Sequence, residues 1–259
     1  MSTLATCEHW IDTAQGKLFA QQWVPQQAQG APIVLLHDSL GCVALWREFP
    51  AQLAQASGHR VIAYDRLGFG RSDAHPGRLR LGFVEDEARQ GFTALRDYFA
   101  IGDFIVFGHS VGGGMAVACA AAFANQCVGL ITESAQAFVE ARTLEGIRAA
   151  DLQFAEPGQL QRLMRYHGGK AEWVLRAWVD NWLADDFAEW NLDAVLAQVR
   201  CPLLSLHGDN DEFGSPAHPE RLVALAGGPG LMQLLQACGH VPHREQPERV
   251  LAAVLQFLR

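Results

Sequence analysis

At 259 residues the chain is long enough for one large α/β domain, or a domain with an insertion, built on a substantial buried core. Apolar residues make up 49% and charged residues 19%, the balance of an ordinary globular protein. A formal net charge of −8 with no basic tract or stripe argues against a nucleic-acid partner.

In chain order, residues 6–12 and 17–24 predict a hairpin turning at Ala14-Gln15-Gly16. A glutamine-rich linker, residues 25–30, leads to a continuous apolar run at 32–36. Similar runs recur at 60–64, 104–107, 128–132, 202–206 and 231–235. Runs that are apolar on both faces suit parallel strands covered by helices on either side. Helical patterns fall between them at 45–57, 83–99, 113–124 and 248–258. The alternation predicts an α/β fold with a mostly parallel, eight-stranded, doubly wound sheet, whose site lies beyond the carboxyl ends of the strands.

One interval breaks the rhythm. Residues 133–200 carry no strand signal but three helical stretches, near 137–152, 157–166 and 170–183. The last presents Trp173, Val174, Leu175, Trp178, Val179, Trp182 and Leu183 as a wide apolar face. An inserted helical segment has little core of its own, so part of that face is expected to cover a site below. The reading divides the chain into core residues 1–134, a helical cap or lid at 135–190, and core residues 191–259.

The first residues, Met1 to Thr6, lack the basic start and apolar run of a secretory leader, and the longest apolar stretch, 112–124, is too short to span a bilayer. Six cysteines (7, 42, 119, 127, 201 and 238) form no Cys-x-x-Cys pair and read as reduced core thiols of a cytoplasmic protein. No His, Cys or carboxylate cluster has metal-ligand spacing, so neither a metal nor a cofactor is expected. A homodimer stays open.

Chemistry concentrates in Gly108-His109-Ser110-Val111-Gly112, which follows the strand-like Phe104-Ile105-Val106-Phe107 and precedes a small-residue helical run. A serine on so sharp a strand-to-helix turn, with glycine two places either side, is a nucleophile elbow. Its hydroxyl needs a histidine to take its proton, and that histidine needs a carboxylate on its other nitrogen. Both follow at later strand exits. His207-Gly208-Asp209-Asn210-Asp211 comes after one apolar run, and Cys238-Gly239-His240-Val241-Pro242 after the next. Asp209, Asp211 and Glu133 are candidate acids. His109 and His37, each in a tight turn, read as structural, and His207 and His243 as loop hydrogen-bonders.

These residues resemble the α/β-hydrolase superfamily, in its capped serine esterase-like branch, over nearly the whole chain. Asp65-Arg66-Leu67-Gly68-Phe69-Gly70-Arg71-Ser72 is similar to the family's D-x-x-G-x-G-x-S loop. The resemblance selects Asp211 as the acid and His240 as the base, with Ser110 as nucleophile. It also implies an oxyanion hole built from the amides of Val111 and Ser39. The chain departs from the family at Asp38, where glycine is usual; its carboxylate is expected to face away and cap the loop. Leu40, His109, Trp178 and Trp182 are candidate substrate contacts. The implied activity is carboxylesterase-like hydrolysis of a small-molecule ester or acyl compound. If one of Arg142, Arg148, Arg162, Arg165 or Arg176 clamps a carboxylate, the reaction becomes carbon–carbon hydrolysis of a keto-acid. A ligand receptor keeping a hydrolase-like pocket is the alternative from another class.

Overall fold

A computed structural model describes residues 4–259. Strands β1 (Leu4–Thr13) and β2 (Gly16–Pro25) form the expected hairpin, whose tight turn uses Gly16 at φ 143°. Strands β3 (Ile33–Leu36) and β4 (Val61–Tyr64) flank helix α1 (Phe49–Ser57). Helices α2 (Phe83–Arg89) and α3 (Gly91–Tyr98) precede β5 (Phe104–His109), α4 (Val111–Ala122) and β6 (Cys127–Glu133). Between β6 and the next strand run α5 (Ala141–Phe154), α6 (Gln159–His167), α7 (Ala171–Trp182) and the short α8 (Asp193–Leu196). The chain closes with β7 (Leu203–Gly208), α9 (Ala217–Leu225), β8 (Gly230–Leu235), α10 (Pro242–Glu245) and α11 (Pro247–Phe257).

The strands make one eight-stranded sheet in the order β1-β2-β4-β3-β5-β6-β7-β8. Only β2 pairs antiparallel, with β1 and β4; every other pairing is parallel. The two faces carry separate cores. One gathers Val34, Leu36, Val106 and Leu130 with α2, α4 and the inserted helices; the other gathers Ile33, Leu35, Phe107 and Ile131 with α1 and α11. Alternate side chains of each buried strand therefore enter opposite layers, which is why these runs are apolar throughout.

Several boundaries differ from the sequence expectation for local reasons. The helix expected over 45–57 begins at Phe49, because Pro50 fits a first helical turn but not a helix interior. Residues Val43–Trp46 form a separate 3-10 turn. The helix expected over 83–99 breaks at Gln90, where the chain bends around a buried contact from the Tyr64 hydroxyl to Glu87. A side chain at Gly91 would meet that carboxylate at 2.1 Å. The first inserted helix starts at Ala141 rather than near 137. Residues 231–235 are an edge strand, with Leu231 and Leu234 exposed.

The closest backbone approach lies where β5 passes into α4. A β-carbon at Gly108 would lie 2.0 Å from the Gly112 carbonyl oxygen, and one at Gly112 2.2 Å from the Leu36 carbonyl oxygen. Both obstacles are backbone and have nowhere to move. Gly112→Ala is expected to lower the unfolding free energy by about 2–4 kcal/mol in urea denaturation. Gly58→Ala, at a left-handed helix end with nothing within 4 Å, should cost about 1 kcal/mol. Equal losses at the two positions would refute the steric account.

Candidate active site

Ser110 is the single residue between β5 and α4, at φ 55°, ψ −127°. A side chain in that region is strained and persists only where surrounding contacts impose it. Here the Ser110 amide donates to the Glu133 carbonyl at 2.8 Å, and the Ser110 carbonyl accepts from the Gly113 amide at 2.8 Å. The hydroxyl is thereby raised beyond the carboxyl end of β5, at the mouth of α4.

Two loops at neighbouring strand ends complete the arrangement. Asp211, three residues past β7, is buried, and its Oδ1 accepts from the Phe213 and Gly214 amides at 2.8 and 3.2 Å. His240, in the loop after β8, donates through Nδ1–H to the Asp211 carboxylate at 2.8 and 2.9 Å. A carboxylate can only accept, so the proton sits on Nδ1 and leaves Nε2 free to accept. That nitrogen stands 3.0 Å from Ser110 Oγ. Burial alone would pull the His240 pKa down, but the hydrogen bond and charge of Asp211 outweigh it and leave it above its ordinary value. Burial pushes Asp211 up, yet its bond and charge contact with His240 hold it below the usual carboxylate value.

The hydroxyl opens onto a cavity of about 180 Å³. Its apolar wall is Leu40, Ile147, Trp178, Trp182 and Phe213; Ser39, Gln136 and Thr143 are neutral polar neighbours, and Asp38 and Glu212 also border it. The amides of Val111 and Ser39 have no acceptor among the described residues. The loop bearing Ser39 is fixed by His37, whose Nδ1–H donates to the Asp38 carbonyl at 2.8 Å, and by Arg66, whose guanidinium donates to the same oxygen at 2.8 Å. The insertion is tied to this loop too. His167, ending α6, accepts the Gly70 amide through Nδ1 at 2.8 Å and donates through Nε2–H to the Leu40 carbonyl at 3.0 Å.

Residues 33–253 match the profile of the family described as the alpha/beta hydrolase family. The chain belongs to that family. A 2-hydroxy-6-oxononadienedioate/2-hydroxy-6-oxononatrienedioate hydrolase of Paraburkholderia xenovorans (strain LB400) is 27% identical over 99% of this chain and 96% of its own. A proline iminopeptidase of Lactobacillus helveticus is 33% identical over 97 residues, 36% of this chain, and the match spans only 32% of that relative's length. A thermophilic esterase from Thermogutta terrifontis (malate bound) superposes with a TM-score of 0.75 at 22% identity, covering 98% of each chain, which is a likeness of fold.

In this alpha/beta hydrolase the expected Ser110, Asp211 and His240 converge, and Ser39, Leu40, Trp178 and Trp182 border the same cavity. The other candidate acids are engaged elsewhere: Asp209 accepts the Cys238 amide, and Glu133 pairs with His243. His109 is a correction. Its ring lies behind His240, where burial holds its pKa down at about 4 and its Nε2–H donates to the His240 carbonyl at 2.8 Å; it does not border the cavity. The Asp38 carboxylate folds over its own loop at Gly41, where an added β-carbon would meet Oδ1 at 1.9 Å, and the residue also borders the cavity.

Gln136, Thr143, Ile147 and Phe213 escaped the sequence reading. Gln136 lies three residues past β6, and its Oε1 stands 3.4 Å from Ser110 Oγ. The strand-exit logic that found Asp211 applies to it equally. Thr143 and Ile147 share one face of α5, four residues apart, and the Phe213 ring packs edge-on to His240 with centroids 4.9 Å apart. Among the described residues all six cysteines are free, and no helix is long and apolar enough to cross a membrane.

The Asp211–His240 pair makes a signed prediction. A histidine with a raised folded pKa contributes stability that is full below its unfolded value and lost as pH rises through the folded one. A lowered aspartate contributes stability that is present above its unfolded value and lost as pH falls through the folded one. The stability difference between wild type and His240→Gln, read from urea melts, is therefore greatest near about pH 5, between the ordinary aspartate and histidine values, and shrinks as the pH rises above the ordinary histidine value of about 6.5. A difference independent of pH would contradict the pairing.

Proposed function

We propose that this alpha/beta hydrolase cleaves a carboxylic ester, or a related acyl compound, through an acyl-enzyme on Ser110. The observation that carries the reading is the unbroken line from Ser110 Oγ through His240 to Asp211, with contacts of 3.0 and 2.8 Å. As Oγ attacks the carbonyl carbon, its proton passes to His240 Nε2, and Asp211 steadies the imidazolium. The charge arising on the carbonyl oxygen is taken by the Val111 and Ser39 amides, each contributing about 3–4 kcal/mol to the transition state. His240 then protonates the departing alcohol. Water, giving its proton to the same nitrogen, releases the acid and restores Ser110. The scheme requires no cofactor.

In this reading residues 135–190 are a cap over a core of residues 1–134 and 191–259, with Trp178 and Trp182 of α7 and Ile147 of α5 shaping the acyl pocket. The small cavity, mostly apolar in its walls, favours a compact acyl group. The indole N–H of Trp182, a residue bordering that cavity, is buried with no partner among the described residues, which supports a substrate carrying one hydrogen-bond acceptor in its acyl part.

A second reading, carbon–carbon hydrolysis of a keto-acid, is favoured by the full-length similarity to the Paraburkholderia relative. The electrostatics weigh against it. Asp38 and Glu212 border the cavity, and no Lys or Arg does among the described residues. Of the arginines considered for a clamp, Arg142 donates to the Asp211 carbonyl and Arg176 pairs with Asp151.

Ser110→Ala is expected to abolish turnover of a p-nitrophenyl ester and labelling by a fluorophosphonate; wild-type turnover in this variant would end the assignment. In the wild type the acidic limb of kcat/KM has its midpoint above the ordinary histidine value of about 6.5. Asp211→Asn should lower that midpoint and reduce kcat by roughly 10³–10⁴-fold. Trp182→Phe keeps most of the ring and removes the N–H. It should raise KM at least about tenfold for an acyl group bearing an acceptor and leave an alkyl ester of equal length nearly unchanged. Equal effects on both esters would remove the polar contact from the scheme.

A further inference from the structure

Behind His240, on the side away from the cavity, three side chains that the proposed reaction does not use come together. His109 ends β5, Glu133 ends β6 and His243 lies in α10. One donor atom from each lies within 4.8 Å of both others, and all three residues are buried. Glu133 is fully buried; its Oε2 accepts from His243 Nδ1–H at 2.5 Å, while Oε1 has no hydrogen-bond partner among the described residues. A carboxylate oxygen withdrawn from water and given no donor is unfavourable, and such an atom calls for a counter-charge.

We propose that His109, Glu133 and His243 form a binding site for a divalent transition-metal ion of the zinc class. Two imidazoles and one carboxylate suit such an ion, whereas magnesium and calcium prefer all-oxygen shells. Ligand bonds of about 2.0–2.2 Å require the three donor atoms to draw closer, a movement within reach of side-chain torsions. A cavity of about 40 Å³, bordered by both His109 and His243, has room for a water as fourth ligand. His243 also borders an open surface groove beside Trp46 and Phe49, which supplies a path inward. None of the three residues borders the cavity over Ser110, so the site is distinct from the hydrolytic centre. The ion joins the ends of two strands and α10 directly beneath the loop that carries His240. Its role is to clasp that loop rather than to activate a substrate.

Protein freed of metal with a chelator and exchanged into chelator-free buffer is titrated with ZnCl2 by calorimetry, and with CoCl2 as a spectroscopic probe. One ion per chain is expected, with Kd of about 10 μM or tighter, together with visible Co2+ absorption from a low-coordinate nitrogen–oxygen site. At a hundredfold excess of Zn2+ over Kd, the Tm should rise by roughly 5 °C or more. Glu133→Gln and His243→Gln should each weaken binding at least about tenfold, while His240→Ala binds like the wild type. Glu133→Gln preserves shape, so it remains informative if His243→Gln fails to fold. No saturable binding by the wild type below about 1 mM overturns the proposal. So does unchanged affinity in Glu133→Gln, or a loss seen only in His240→Ala, which would move the ion to the Ser110 centre.

Discussion

The rest of the site depends on how closely α4 approaches the sheet. With bare backbone at Gly108 and Gly112, the helix start sits against the Leu36 carbonyl and its own preceding strand. That proximity holds Ser110 at positive φ, and the conformation lifts its hydroxyl clear of the strand, within 3.0 Å of His240 Nε2. The strain is local, but its support is not. Strand β6 contributes the Glu133 carbonyl that receives the Ser110 amide, and β3 contributes the surface on which Gly112 rests. Three adjacent parallel strands thus fix one side chain.

Burial then sorts the histidines. His37, His109, His167 and His207 are all enclosed, and in each desolvation pulls the pKa down. Such rings are neutral hydrogen-bonding struts near pH 7, suited to holding loops. His240 is equally enclosed but receives a whole carboxylate on Nδ1, and its affinity for a proton rises instead. The difference between a lowered and a raised proton affinity lies in one partner, not in the residue type.

Much of this was readable beforehand. Buried parallel strands announce themselves as uninterrupted apolar runs, and the ends of those runs point to Ser110, Asp211 and His240. Two kinds of information were not readable. Breaks such as the one at Gln90 come from tertiary crowding around Glu87 and Tyr64, which leaves no periodic trace. The meeting of His109, Glu133 and His243 depends on register between β5 and β6 and on a chain return 110 residues later, which spacing along the sequence cannot encode. Gln136 is a different case: its position was accessible, but a neutral amide near a strand exit does not stand out among stronger titratable candidates.

The double bond made by His167 has a consequence for the inserted helices. Because one imidazole grips both Gly70 and Leu40, the inserted helices cannot swing outward as a block without breaking both bonds to the loops beneath them. A pull on α6 is thereby transmitted to the Leu40 carbonyl and the Gly70 amide at the same moment.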